Sequence, residues 1–160
     1  MIVVADSSPL HYLILLEQTE LLHRLYEEVI VPDCVVAELR VGKSPRSVRE
    51  WLASPPSWLR VAVLTAEEIA AVSEDLDIGE RAAIALAERL RADLLLIDEI
   101  AGRAEARRRN LRVTGTLGVL RVGADAGLVE VRDVLARLAA TNFYVEDELL
   151  KKVFAQWLAE

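Results

Sequence analysis

The sequence has very few cysteines and histidines, the residues that form disulfides and bind zinc in small folds. Cys34 is the only cysteine among 160 residues, so an internal disulfide is excluded, and this usage fits a reducing cytoplasm. The two histidines, His11 and His23, stand apart in amphipathic helical patterns, where packing is the simpler role. A structural zinc site and a Ser/His/Asp catalytic set are therefore not expected.

Long hydrophobic runs and an excess of basic charge are missing as well. No wholly apolar stretch approaches the roughly 18 residues that cross a membrane, and Asp6 interrupts the apolar N-terminus, which argues against a secretory signal. With 19 basic and 26 acidic residues the net charge is −7, so binding to nucleic acid requires a local basic patch. The stretch VGKS at 41–44 has Ala37 where a phosphate-binding loop needs glycine, which excludes that motif.

Short apolar runs alternate with longer helical patterns along a chain that is 53% hydrophobic. The runs predict strands at 2–5, 28–31, 59–64, 93–98 and 111–115. The longer patterns predict helices at 9–17, 19–27, 32–40, 46–53, 66–74, 78–92, 99–110, 116–126 and 130–140. Because each strand is a continuous apolar run, we expect a mostly parallel, twisted sheet of about five strands between helical layers, a three-layer α/β/α sandwich.

Local signals mark where several of these helices begin. Ser8 followed by Pro9 predicts an N-cap and then the first residue of a helix. Thr65 begins a capping-box pattern. Asp77 and Thr116 are predicted to be the N-caps of two further helices.

The last part of the chain is separable by its pattern. We assign residues 1–142 to one α/β domain and residues 143–160 to a C-terminal amphipathic helix. Apolar residues recur there every four positions and therefore share one face: Val145, Leu149, Val153 and Trp157. This face is expected to pack on the domain itself or on a partner.

Carboxylates stand where strand packing does not require them. Asp6 and Asp98 end two predicted strands, and open α/β sheets bind ligands outside these carboxyl ends. Glu38 and Glu80 lie in apolar helical surroundings, although a helix N-terminus also favours a negative charge at position 80. Two carboxylates about 4 Å apart repel by roughly 4 kcal/mol at an effective dielectric near 20, so a cluster needs protons or a cation. Oxygen ligands select Mg²⁺ or Mn²⁺, which activate water for phosphodiester hydrolysis.

Five segments, in order along the chain, resemble the PIN-domain family: VVADSSPL, VPDCVVAEL, IGERAAIALA, LLLIDE and RVTGTLGVL. The resemblance runs from residue 2 to about residue 130 and implies a twisted parallel sheet between helices. It also implies an Mg²⁺- or Mn²⁺-dependent ribonuclease. The closest branch contains short, toxin-like proteins, and many toxins of this family are held inactive by a cognate antitoxin.

The resemblance also carries functional residues onto this chain. The family's acids, expected to be catalytic and to hold the metal, fall on Asp6, Glu38, Glu80 and Asp98, with Glu99 as an auxiliary ligand. The third acid of the family is more often aspartate, so Asp77 competes with Glu80 for that role. Ser8 and Thr116 match polar positions that the family places near the substrate.

One local basic patch and several partners complete the expectations. Arg103 and Arg107 are four residues apart on a predicted helix, so they share a face, which is either a solvated outer face or a patch that suits an RNA backbone. The expected partners are an RNA substrate, a small antitoxin and a second copy of the chain. A catalytically inactive PIN-like module that acts through protein contacts is the alternative. A phosphatase or receiver-like domain with Asp6 as nucleophile is disfavoured, because no second acid stands two residues after Asp6.

Overall fold

Five parallel strands form one sheet in the computed structural model, which describes residues 1–159. The strands are β1 (Val3–Ala5), β2 (Val29–Pro32), β3 (Leu59–Ala62), β4 (Leu94–Leu96) and β5 (Val113–Thr114). Their order across the sheet is β3-β2-β1-β4-β5, and each neighbouring pair is parallel. The predicted sheet is confirmed, with strands shorter than the apolar runs that indicated them.

Eleven helices surround the sheet within residues 1–159. They are α1 (Ser7–Leu15), α2 (Thr19–Tyr26), α3 (Asp33–Leu39), α4 (Arg46–Ala53), α5 (Ala66–Ala70), α6 (Ile78–Leu90), α7 (Ile100–Arg108), α8 (Thr116–Asp125), α9 (Val131–Ala139), α10 (Asp147–Val153) and α11 (Ala155–Leu158). None of these helices in the described part of the chain has the length and apolar character needed to cross a membrane.

Both faces of the central strands of the sheet are buried. Successive side chains of a strand point to opposite faces, and in β1 this separates Val3 and Ala5, in one apolar cluster, from Val4, in another. The same alternation divides Leu94 from Leu95 in β4. A sheet that is covered on both sides needs continuous apolar strands, and the runs of these two central strands are unbroken, whereas the edge strand β3 exposes Arg60 and Val61. The predicted three-layer arrangement is therefore confirmed.

The start of α1 differs from the prediction. The helix begins at Ser7, so Ser8 is not its N-cap, and Pro9 is the third helical residue rather than the first. Asp6 occupies the N-cap position, although its side chain makes no capping bond with the described residues. The hydroxyl of Ser8 instead donates to Asp98, 90 residues away, and local sequence patterns do not encode such a contact.

The other predicted helix starts have mixed outcomes. Thr65 closes a capping box with Glu68, as expected, but the helix ends at Ala70 rather than near residue 74. Asp77 is the N-cap of α6, which confirms that prediction. Thr116 is the first residue of α8 and not its N-cap, because Gly115 takes that position.

The C-terminal segment forms two short helices, α10 and α11, rather than one. They meet at Phe154, whose side chain is fully buried in the main core. Arg121 of α8 holds this junction, since its Nη1 donates to the Val153 carbonyl at 2.8 Å and its guanidinium lies 5.2 Å from the Trp157 ring centroid. The segment thus packs on its own chain, while a domain boundary at residue 142 stays a prediction.

Candidate active site

The acids that follow β1 and β4 both lie at the carboxyl edge of the sheet. Ala5 pairs with Leu96 in these adjacent strands, and the backbone N–H of Asp6 donates to the Leu96 carbonyl at 2.9 Å. Asp98 stands two residues after Leu96. The chain builds β2 and β3 on one side of β1 and then β4 and β5 on the other. Such a change of direction creates the crevice where open α/β sheets bind ligands.

The position of Gly79 shows how closely carboxylates from three elements approach one another. A Cβ added to this residue would lie 3.1 Å from Oε1 of Glu38, 3.4 Å from Oδ1 of Asp6 and 3.5 Å from Oδ1 of Asp77. These acids come from α3, from the end of β1 and from the N-cap of α6. Because glycine has no side chain, a small space bounded by three carboxylate oxygens is left beside it.

Asp6 is a buried carboxylate with incomplete hydrogen bonding. Its side chain is 3% exposed, and its Oδ1 has no hydrogen-bond partner within residues 1–159. Burial raises the pKa of Asp6 to about 7, against the lowering effect of a hydrogen bond from the Ser7 backbone. The charges of Asp77, Glu80 and Glu38 raise this pKa as well. An uncompensated carboxylate in such a place favours a proton or a cation.

Glu80 combines a helix-capping contact with a second buried oxygen. Its Oε1 accepts a hydrogen bond from the Asp77 backbone at 3.2 Å, and its own N–H donates to Oδ1 of Asp77 at 2.8 Å. In the described part of the chain, its Oε2 has no hydrogen-bond partner although the residue is only 7% exposed. Burial raises the pKa of Glu80 to about 7. The predicted place at a helix N-terminus therefore accounts for one oxygen of Glu80 and leaves the other without a partner among residues 1–159.

Asp98 is held by hydrogen bonds on both of its oxygens. Oδ1 accepts from the Thr116 backbone at 2.7 Å, and Oδ2 accepts from the hydroxyls of Thr116 at 2.7 Å and of Ser8 at 2.8 Å. Thr116 is completely buried, and Ser8 is half-buried. These two residues position Asp98, and their direct contact with a substrate stays a prediction.

The remaining acids of the site are exposed. Glu99 occupies the N-cap position of α7, and Asp77 has the same position on α6. Glu38 is exposed on α3. The structure brings both Asp77 and Glu80 close to Asp6, and of these two only Glu80 has a buried oxygen that lacks a hydrogen bond within residues 1–159.

The arginines near α7 divide into two groups. Arg108 and Arg109 form ion pairs with Glu105. Arg103 and Arg107 make no ion pair with any residue that the structure describes. Arg103 lines a groove that reaches the carboxyl end of β4, and Arg107 is exposed one turn further along the helix.

This geometry agrees with a comparison against protein families, in which the family model of the PIN domain matches residues 2–158. The chain belongs to the PIN-domain family. The resemblance found in the sequence is thereby confirmed, and the five-stranded parallel sheet with its flanking helices is the PIN-like α/β fold. The PIN domain is a nuclease-type fold that typically uses divalent metals. A search among curated proteins finds no match to the chain.

The carboxylates of this PIN domain suit a hard divalent cation by their chemistry. All the possible ligand atoms are oxygens. Two of the acids, Asp6 and Glu80, are buried and have raised pKa values. The space beside Gly79 is bounded by one oxygen each of Asp6, Glu38 and Asp77. Among residues 1–159, however, no three His, Cys, Asp or Glu side chains already stand at metal-binding spacing. Hydrogen bonds already engage Oε1 of Glu80, from the Asp77 backbone, and Asp98, from Ser8 and Thr116.

One cleft beside the candidate site was not predicted from the sequence. Tyr12 and Asn142 line a cleft of about 260 Å³ together with Ser8 and Glu38, and the Tyr12 hydroxyl donates to Oδ1 of Asn142 at 2.7 Å. The spacing of Ser8 and Tyr12, four residues apart on α1, is the signal that places Tyr12 on the same face. Asn142 is 130 residues away and has no comparable signal.

Proposed function

We propose that this protein is a divalent-metal-dependent endoribonuclease that hydrolyses RNA phosphodiester bonds. The observation that carries the proposal is the burial of Asp6 and Glu80 with one oxygen each that lacks a hydrogen bond in the described chain. Burying two uncompensated carboxylates destabilises the fold. A cation offsets this cost, and oxygen donors select Mg²⁺ or Mn²⁺.

The residues of the site have distinct roles in this proposal. Those that would hold the ion are Asp6, Glu38, Glu80 and Asp98, with Glu99 as an auxiliary ligand. When bound, the ion supplies activation of water and stabilisation of the leaving oxygen. Ser8 and Thr116 fix the orientation of Asp98 through its two oxygens. Arg103 and Arg107 bind phosphates of the RNA beside it.

A catalytically inactive PIN-like module that acts through protein contacts is the second candidate. Two observations favour it. The capping box engages Oε1 of Glu80, and no set of three side chains within residues 1–159 stands ready for a metal. In this case the acids have no catalytic role, and the chain binds a partner without cleaving RNA.

We further propose that the protein is the toxin of a toxin–antitoxin pair, with a small antitoxin and a second copy of itself as partners. The resemblance to short toxin-like PIN proteins supports this role, and the free thiol of Cys34 fits a cytoplasmic location. Val61 of the edge strand β3 and Val63 just after it are 52% and 71% exposed, which provides an apolar surface for protein contacts. Light scattering on the pure protein, alone and co-expressed with the product of the adjacent reading frame, tests both partners.

The nuclease proposal is tested by incubating the purified protein with single-stranded RNA in Mn²⁺ or in EDTA. We expect cleavage in Mn²⁺ that is abolished by Asp6→Asn and by Asp98→Asn. Asp93→Asn is the matched control, because Asp93 stands at the opposite end of β4, where its Oδ2 accepts from the Ile2 backbone at 2.6 Å. Cleavage that persists in Asp98→Asn would refute the site assignment. A pure protein that binds a partner and cleaves no RNA in Mg²⁺ or Mn²⁺ would support the inactive module.

A further inference from the structure

A groove with apolar walls begins beside Asp98. It encloses about 430 Å³, which is within the range of sites for small ligands. Its walls come from the first turn of α7, from α8 and from the C-terminal segment, and the apolar side chains that form them are Ile100, Leu117, Phe143, Leu149 and Val153. The groove is thus built by parts of the chain that lie far apart in sequence.

One end of this groove is charged. Asp98 and Arg103 both line it, and they flank the same point of the backbone. A Cβ on Gly115 would lie 2.5 Å from Oδ1 of Asp98 and 3.3 Å from Nη1 of Arg103. Since Arg103 makes no ion pair with the residues that the structure describes, its guanidinium is available to an anion next to the candidate metal ligands.

The groove is preformed and open to solvent. Ile100 is 86% exposed and Leu149 is 47% exposed at its rim. Phe143 is fixed by an edge-to-face contact with Tyr12, with ring centroids 4.9 Å apart. The wall formed by Val153 is anchored through the hydrogen bond from Arg121. A rigid aromatic ring beside an accessible apolar rim is a surface on which a nucleobase stacks.

We propose that this groove is a nucleobase-binding subsite for the RNA residue next to the phosphate that Arg103 binds. The inference rests on the proposed function, because it takes Asp98 as part of the active site. A nucleotide carries a charged phosphate next to an apolar base face. The groove likewise has a charged end next to its apolar walls. A wholly apolar protein helix would leave Arg103 without an anionic partner, so the charge of the groove favours RNA.

The subsite defines a substrate class. A base reaches the walls of the groove only when it is unpaired and unstacked, so single-stranded RNA binds and the same sequence in a duplex does not. Because stacking on an aromatic ring depends on the presence of a base more than on its identity, the preference among the four bases is weak.

The test compares two fluorescently labelled probes of equal length, a single-stranded ten-nucleotide RNA and the corresponding abasic ribose-phosphate strand. Binding is measured by anisotropy in EDTA at low salt. We expect the wild type to bind the base-bearing strand at least about fivefold more tightly than the abasic strand. Leu149→Gln is expected to remove most of this difference. Val122→Gln is the matched control, since Val122 is 45% exposed on α8 and is not among the residues that line the groove.

The outcomes separate the subsite from the nuclease. Equal affinities of the wild type for both strands, or no binding of either, would overturn the subsite and leave the groove to a protein partner. A difference that survives in Leu149→Gln at its wild-type size would overturn it too. The assay contains no metal and scores no cleavage, so the subsite stands if the cleavage test fails, and the nuclease stands if the base makes no difference.

Discussion

Asp6 and Glu80 make the metal-free protein sensitive to pH. Their pKa values are each raised to about 7 by burial, from ordinary values of 3.8 and 4.5. Between those ordinary values and about pH 7, the unfolded chain has released protons that the folded protein still holds. The corresponding stability is therefore fully present at acidic pH below both ordinary values and is lost as the pH rises through about 7.

Replacing Asp6 by asparagine removes one of these titrating groups at nearly constant shape. We expect the free energy of unfolding of Asp6→Asn to fall less steeply between about pH 5 and pH 8 than that of the wild type, because the neutral amide has no charge to bury. Urea unfolding in EDTA at several pH values measures the two slopes. The exposed Asp93→Asn variant should keep the wild-type slope. Identical slopes for Asp6→Asn and the wild type would contradict the raised pKa of Asp6.

Gly115 is required by the position of a neighbouring carboxylate. A methyl group there would lie 2.5 Å from Oδ1 of Asp98, so Gly115→Ala must displace the oxygen that accepts from the Thr116 backbone. We expect RNA cleavage in Mn²⁺ to fall on the order of 100-fold, as for other misplacements of about 1 Å in an active site. Gly42→Ala is the control, because a Cβ at Gly42 meets no atom within 4 Å in the described chain. If Gly115→Ala cleaved RNA as fast as Gly42→Ala, the displacement of Oδ1 of Asp98 would have no effect on cleavage.

Helix α7 has one half that lies beside the candidate site and another that anchors the helix. In the C-terminal half, Arg109 donates from Nε to Glu105 at 2.8 Å, from Nη1 to Glu88 of α6 at 2.7 Å and from Nη2 to the Ala71 carbonyl at 3.1 Å. Glu105 is only 6% exposed. These contacts fix α7 against its neighbours, and so Gly102 and Arg103 in the other half keep their place beside the acids.

Removing Arg109 tests this division of the helix. Arg109→Leu leaves Glu105 buried without its partner at Nε, and breaking a buried ion pair in this way costs about 3–5 kcal/mol of unfolding free energy. Arg107→Leu, on an exposed position of the same helix, should change stability by less than about 0.5 kcal/mol. Urea unfolding of both variants measures these values. A loss below about 1 kcal/mol in Arg109→Leu would mean that the remaining pair of Arg108 with Glu105 is a sufficient anchor.

For the whole molecule, the fold could be predicted because its signals are local. Apolar runs such as the one before Asp98 locate the strands, although the strands are shorter than the runs, and the capping pattern at Thr65 is completed three residues later. That Asp6 and Asp98 lie at one edge of the sheet was also predictable, because parallel strands carry their carboxyl ends to the same edge. Glu38 and Glu80 stand out by their apolar helical surroundings, and the family resemblance assigns them a role, but their spacing in the chain contains no sign that α3 and α6 meet beside Gly79.

The errors arose where distant contacts override local preference. Ser8 has the sequence of an N-cap, but its hydroxyl bonds to Asp98. The apolar stripe of the C-terminal segment predicts one continuous helix, but burial of Phe154 in the core interrupts it. The groove beside Arg103 was not predictable for the same reason, because its walls come from three separate parts of the chain.

Binding of an ion should stabilise the molecule as a whole. A ligand that binds only the folded state at 100 times its Kd adds about 2.7 kcal/mol, and for a chain of this length such an increase raises Tm by about 5–10 °C. We expect this rise in Mn²⁺ for the wild type and for Asp93→Asn, and its loss in Asp6→Asn and Glu80→Gln, measured by thermal unfolding without RNA. An unchanged Tm in millimolar Mn²⁺ would refute the metal site. A full rise in Tm without any RNA cleavage would instead show that the carboxylates hold the ion in a protein that only binds its partners. Stabilisation requires the metal ligands alone, whereas hydrolysis also requires a correctly placed phosphate.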